Sequence, residues 1–455
     1  MVARTAAAIA TNRFGLGARP GEIDVAAGDP QAWLLGQLRE PAPMPGRSGL
    51  EAASATLAQA EALRKEKRAG AGSVMKLGAL YRSRYLEEVG ARFAHAVATE
   101  RAFVERLTQF WANHFAVSVD KLAVLGIAGA YEREAIRPHV LGRFEDLLFA
   151  VERHPAMLLY LDNHRSIGPG SPLARRAAAR RGSDLGLNEN LAREILELHT
   201  LGVSGGYTQA DVTSFARMIT GWSIGGGRGR LAAGRPGEFA FRENMHEPGA
   251  QTLLGQRYSE SGYAQGAAAL RTLARHPATA AHVTRKLACH FVADDPPPTL
   301  LARLDAAWRA HDGALVPVYR ALVESPEAWA VPLAKFKTPS DFIHSTFRGF
   351  ALPVGEGRAG IGAFEVLGQR TWAPGSPAGW PDRAADWDGA SAVLARIEWA
   401  DAVGTRLGDT RDARRAAGSM LGDVLASSTA EALRRAASGA QALTLLLSSP
   451  EFMRR

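Results

Sequence analysis

The chain has 455 residues, 46% hydrophobic and 22% charged, which is globular composition and enough length for one large domain or two ordinary lobes. A single cysteine, Cys289, excludes an intramolecular disulfide framework and any zinc site built from several thiolates. The net charge of +8 and pI of 9.8 come mostly from arginines spread along the whole chain, with no zinc-finger, RNP or basic-zipper pattern, so nucleic acid is not the expected partner.

No apolar run reaches the roughly 20 residues needed to cross a bilayer, and the opening Met-Val-Ala-Arg-Thr-Ala-Ala-Ala-Ile-Ala is too short for a secretory signal. The expected location is therefore the cytoplasm. The arginine pairs at 175–176 and 180–181 are internal and cannot act as an N-terminal export signal.

Alanine- and leucine-rich stretches with apolar residues three and four apart predict helices over 53–66, 79–97, 101–116, 127–136, 188–201, 209–221, 263–274, 278–292, 299–310, 316–323, 339–350, 390–406 and 429–447. Alternating strand patterns are scarce, so the expected fold is mainly α, a large orthogonal multi-helix bundle with a small irregular or hairpin insertion. Residues 165–187, with Gly-Pro-Gly-Ser-Pro and then Arg-Arg-Ala-Ala-Ala-Arg-Arg, read as a mobile basic loop. The chain is then one domain over 1–455, or two helical lobes, 1–164 and 187–455, joined by 165–186. Within 223–262 the pieces Glu238–Arg242 and Thr252–Gly255 are expected to pair as a hairpin. Residues 368–388 are too rich in Pro and Gly for regular structure, yet carry Trp372, Trp380 and Trp387, which predicts a loop packed onto the body.

Several segments could carry chemistry. At about 100° per residue, Phe103, Leu107, Phe110, Trp111 and His114 share one helix face, so His114 points into apolar packing. It is either a core histidine on a backbone carbonyl or a buried ligand or proton carrier. In the 188–199 helix, Leu187, Leu191, Ile195 and Leu198 form the core stripe, while Asn190, Glu194 and Glu197 line up elsewhere, flanked by Glu189 and Arg193. The four-residue spacings Glu189–Arg193 and Arg193–Glu197 suit ion pairs, and a solvated salt-bridged face explains the row as well as a site does. His199 faces away from Glu194 and Glu197, so the Glu-x-x-His pattern of helical di-iron sites is absent. None of the 12 histidines has another three or four positions away, which removes the His-Glu-x-x-His zinc pattern. A metal would have to be held by distant segments, for example His114, Glu194 and His246.

Gly202-Val-Ser204-Gly-Gly206 matches a nucleophile elbow only formally, because a helix and not a strand precedes it. Gly202 is better read as a helix end and Thr208 with Asp211 as the cap of the next helix. The glycine run 225–230 lacks the Lys-Ser or Lys-Thr ending of a phosphate loop. His246-Glu-Pro-Gly lies in the irregular region and reads equally as structural or functional. Lys335 and Lys337 stand just before a helix expected to begin near Pro339, where an anion could be received, although a solvated turn is the commoner outcome. Leu287 and Phe291 beside Cys289 suggest a buried, inert thiol.

These segments, in this order, resemble a large bacterial family, the domain of unknown function numbered eighteen hundred. The resemblance runs from Asn12-Arg-Phe-Gly-Leu-Gly-Ala-Arg-Pro-Gly21 to the C-terminal helices. Its most specific parts are Phe110-Trp-Ala-Asn-His-Phe115, His154-Pro-Ala-Met-Leu158, Tyr160-Leu-Asp-Asn163, and Asn188 to His199 running on through Gly206-Tyr-Thr-Gln-Ala-Asp-Val212 to Thr220-Gly-Trp222. Two positions depart from the pattern: Ser204 stands where Asp is expected, and Gln251 where Lys is frequent. The resemblance implies a gene neighbourhood shared with a sulfatase-like family that carries twin-arginine signals. Co-export with such a partner is the alternative to a cytoplasmic location.

Two functions follow as expectations. In the first, the chain is an enzyme whose polar site joins 110–115, 188–199 and 246–249, with Asn113, His114, Arg193, Glu194 and His246 as its working residues, with or without a divalent metal. Asn190, Glu197, Lys337 and Trp380 are further candidates. In the second, it is a non-catalytic binding or assembly partner of an exported sulfatase-like protein, with an exposed apolar patch on the 368–388 loop.

Overall fold

Helices begin where a local cap satisfies the first orphan N–H groups, and one short sequence shows this twice. In both His-Pro-Ala segments, His154 and His276 accept the backbone N–H of Ala156 and Ala278 on Nδ1 at 3.1 Å. Pro155 and Pro277 occupy the first helical position, where no N–H is needed. Thr208 and Thr338 close capping boxes with Asp211 and Asp341, the first as expected. In this computed structural model, which describes residues 3–46, 49–68, 74–181, 186–226, 233–355, 361–408 and 410–455, such starts give a mainly α fold. Twenty-three α-helices face only four three-residue strands among the described residues, so helix-on-helix packing must build the core. No described helix is long and apolar enough to cross a membrane.

The helix Ala102–His114 lies at the centre. Phe103, Val104, Leu107 and Trp111 are buried, but so are Glu105 and Arg106. A helix enclosed on every side has to pair its charges. Arg137 donates two bonds to Glu105, at 2.6 and 2.9 Å, and a third to Glu132 at 2.7 Å, while Arg106 reaches Asp341 at 2.8 Å. The principal apolar core draws on residues from Ile9 to Ala373, on both sides of the 165–187 segment. A second core gathers Phe336, Phe342, Trp387, Leu443 and Phe452.

Four local expectations change. Residues 165–187 contain a helix, Pro172–Arg181, started by Ser171, whose Oγ accepts Ala174 N–H at 3.2 Å, and by Pro172. The leucine, alanines and arginines that follow are all good helix formers; residues 182–185 lie outside the described part. The 223–262 region forms two antiparallel pairs. Trp222–Ile224 (β1) meets Phe239–Phe241 (β2), and Gln251–Leu253 (β3) meets Gln256–Tyr258 (β4). Leu254 and Gly255 both have positive φ, 50° and 76°, a two-residue turn that folds 251–253 back onto its own neighbour instead of onto 238–242. Residues 227–230 of the glycine run are outside the described part. The 429–447 stretch is two helices, Ser427–Arg435 and Gly439–Leu447, the second capped by Ser438. The 188–201 stretch is α-helical only over Asn190–Glu194 and continues as a π-helical turn, Ile195–His199. Cys289 is half-buried, with its thiol 3.6 Å from Asp294 O, and burial pushes that thiol up.

Candidate functional site

His114 ends its helix pointing inward. Its Nε2 lies 3.2 Å from the carbonyl oxygen of His199, and the rings of Phe110, Trp111 and Phe115 enclose it. His199 and His282 stand 6.3 and 6.1 Å away, ring to ring. Burial, and then Lys286 and the two neighbouring imidazoles, hold His114 neutral. His199 is tied by Nδ1 to the buried Glu152 at 2.7 Å. Along the expected acidic row, Asn190 is exposed, and Arg193 donates to Glu189 at 3.3 Å and to Gln209 at 2.8 Å. Glu194 is half-buried and burial raises its carboxyl, while Glu197 lies beside Tyr207. His246 is buried elsewhere, with Nδ1 3.0 Å from Thr220 O and its ring 5.3 Å from Phe241. It shares no bonded or ring neighbour with His114. Among the described residues no group of three or more His, Cys, Asp or Glu is placed to hold a metal ion, and His114, Glu194 and His246 are not brought together.

Asn113 and Trp380 do come together. The Asn113 amide donates to Trp380 O at 2.8 Å and accepts Trp380 N–H at 2.7 Å, fastening the Trp-rich loop to the central helix. Gly379 allows this approach: its φ is +84°, and a Cβ there would lie 2.3 Å from Asn113 O. Trp372 Nε1 donates to Glu132 at 3.1 Å, and Trp387 Nε1 to Pro381 O at 2.9 Å, so the loop is packed as expected. Between this loop, the central helix, the end of Pro277–Phe291 and the start of Pro339–Gly349 lies a cleft of about 100 Å³. Arg92, Arg106, His290, Asp341, Trp372 and Asp382 line it, together with Asn113 and Trp380.

The cleft is densely charged, and its pairs come from distant segments. His290 Nδ1 lies 2.9 Å from Asp382 Oδ2. Its Nε2 has no hydrogen-bond partner, on a ring that lines the cavity. Burial pushes this imidazole down to about 4 against the pull of Asp382, so it is neutral at pH 7. Asp382 is kept ionised, despite burial, by His290, Lys335 and Arg455. Residues 335 and 455 exchange backbone bonds and Lys337 N–H donates to Met453 O, which delivers Arg455 to Asp341 at 2.8 Å and to Asp382 at 3.5 Å.

Neither lysine before the 339–349 helix is in a solvated turn. Lys335 is buried against Asp294 at 2.6 Å and also bonds Asp382 O. Lys337 donates to Ser345 Oγ at 3.0 Å and stands 4.1 Å from the ring of Phe452. Burial, with Arg106, Arg455 and Arg396 nearby and only Asp341 opposing, pushes Lys337 down to about 7. The helix start itself is closed by the Thr338–Asp341 box and by Gln369, which accepts Ser340 N–H at 2.7 Å.

His290, Asp382, Arg92 and Arg106 are absent from the residues singled out by sequence. The one available signal was Trp380-Pro-Asp382, an acid inside an aromatic loop expected to pack on the body.

Fold and cleft together define a mainly α protein organised round a polar, partly enclosed cleft. The chain matches the family described as "Protein of unknown function (DUF1800)" over residues 9–454, and it belongs to that family. No curated protein and no solved structure matches it.

Proposed function

We propose that the chain is an enzyme that performs proton-transfer chemistry in this cleft, with His290 as general base and Asp382 as the residue that orients it. The observation that carries the reading is an imidazole at a cavity wall, held by a carboxylate at Nδ1 and left unpartnered at Nε2. A carboxylate in that position fixes the tautomer so that Nε2 is the acceptor, and it stabilises the imidazolium formed once a proton arrives. Asn113 is a positioning residue, since it holds the loop that brings Asp382 to the ring. The binding-partner alternative needs an exposed apolar patch on the same loop, but Trp387 is buried and Trp372 and Trp380 are half-buried.

The test is a turnover screen of the purified chain against chromogenic phosphate, sulfate and carboxylate esters between pH 5 and 8. Activity that disappears in His290→Asn and Asp382→Asn but survives in His282→Asn supports the reading. Activity indifferent to His290→Asn, or none across the panel, overturns it.

A further inference from the structure

Three arginines reach the cleft with donors to spare. Arg92 uses Nε on Glu132 at 2.7 Å, and both of its Nη groups make no hydrogen bond to a described residue. Arg106, only 2% exposed, gives Nε to Gly15 O and Nη2 to Asp341 at 2.8 Å, which leaves Nη1 unbonded. Arg370 bonds Asp120 through Nη2 alone. These free donors sit on arginines that line the cleft, so a ligand that supplies oxygen atoms there gains charge-assisted hydrogen bonds.

The acceptors at the cleft are, by contrast, already engaged. Asp341 is divided between Arg106 and Arg455, and Asp382 between His290, Lys335 and Arg455. An incoming cation would find its carboxylates taken, whereas an anion would find open donors. Behind the wall, Lys337, Arg455 and Arg396 crowd round Asp341, so the local charge is short of negative partners. Arg92 also lies 5.6 Å over the Trp372 ring, which holds its planar fork in one orientation. A volume of about 100 Å³ suits a small oxyanion, given that a cavity of about 150 Å³ holds a benzene ring.

We propose that the cleft binds its substrate through an oxyanion, a phosphoryl, sulfuryl or carboxylate group gripped by Arg92, Arg106 and Arg370. This rests on the reading of the cleft as the site of chemistry. The charged head enters beside His290, and the remainder of the substrate lies outside, along Trp372 and Trp380.

The test is titration of the full chain with inorganic phosphate, sulfate and acetate, each against sodium chloride at matched ionic strength, followed by calorimetry and thermal midpoint. At least one anion is expected to bind saturably, and which one does identifies the head group. Affinity should fall at least tenfold in Arg92→Gln and several-fold in Arg370→Gln, and it should persist in His290→Asn. If Arg92→Gln does not fold, because the buried Glu132 keeps only Arg137 and Trp372 as donors, the exposed Arg370 carries the test. No binding beyond chloride, or binding unchanged in the arginine variants, overturns the proposal. Anion binding with no turnover defeats the base assignment alone, and turnover lost in His290→Asn with no anion binding defeats the oxyanion alone.

Discussion

His282 and His290 lie eight residues apart on one helix, and burial pushes both imidazoles down to about 4. His282 faces the knot of His114 and His199. Its Nε2 is 3.0 Å from Leu198 O, and Gly202 lies so close that a Cβ there would sit 2.7 Å from Nδ1. His290 faces the cleft, with a carboxylate on one nitrogen and nothing on the other. The same depressed value therefore accompanies two different situations. A lowered imidazole pKa reports burial, and chemistry additionally requires a cavity beside the ring and an acceptor that orients it.

The largest expected effect separates the two directly. His290→Asn should lower turnover about 10²- to 10⁴-fold, the usual contribution of a positioned base. His282→Asn should change the thermal midpoint and leave turnover per folded molecule unaltered; equal losses from both would erase the distinction.

A second test treats them as equals. Their folded values near 4 lie below the ordinary value of about 6.5, so between those limits the unfolded chain binds more protons than the folded one. The stability they contribute is present above pH ~6.5 and is lost as pH falls toward ~4, a loss on the order of a few kcal/mol. Denaturant unfolding at pH 7 and pH 5 measures this. Either asparagine variant should flatten the dependence, and a midpoint identical at both pH values would show that neither ring is buried in the neutral form.

Smaller effects distinguish the walls of the two regions. Asn113→Ala removes both bonds to Trp380 and should cost about 1–3 kcal/mol while lowering kcat, because the loop carrying Asp382 is released. Unchanged kinetics in that variant would remove Asn113 as a positioning residue. Gly202→Ala, at φ +83° against His282, should cost about 1–3 kcal/mol and leave kcat and KM as they were. A kinetic defect there would tie the histidine knot to the cleft.

Much of the helical framework was legible in residue order, since its causes act within a few positions. Pro277 after His276, Thr208 before Asp211 and the apolar face of Phe103, Leu107 and Trp111 each specify local structure without help from distant residues. The family was legible for a related reason, because its motifs are long and contiguous. Where local signals competed, reading failed: Leu254-Gly255 turned the chain one strand too early for the expected hairpin, and Pro172 started a helix inside an apparent loop.

The site was legible only in Asn113 and Trp380. Arg106, His290, Asp341, Asp382 and Arg455 meet from five separate parts of the chain. Periodicity marks which face of a helix is apolar, but it does not say which buried charge will find which partner. The row from Asn190 to Glu197 carried the stronger sequence pattern and remained at the partly exposed surface. Propensity and capping are properties of neighbours in sequence, whereas burial and charge pairing depend on where the chain crosses itself, and tertiary structure alone decided that.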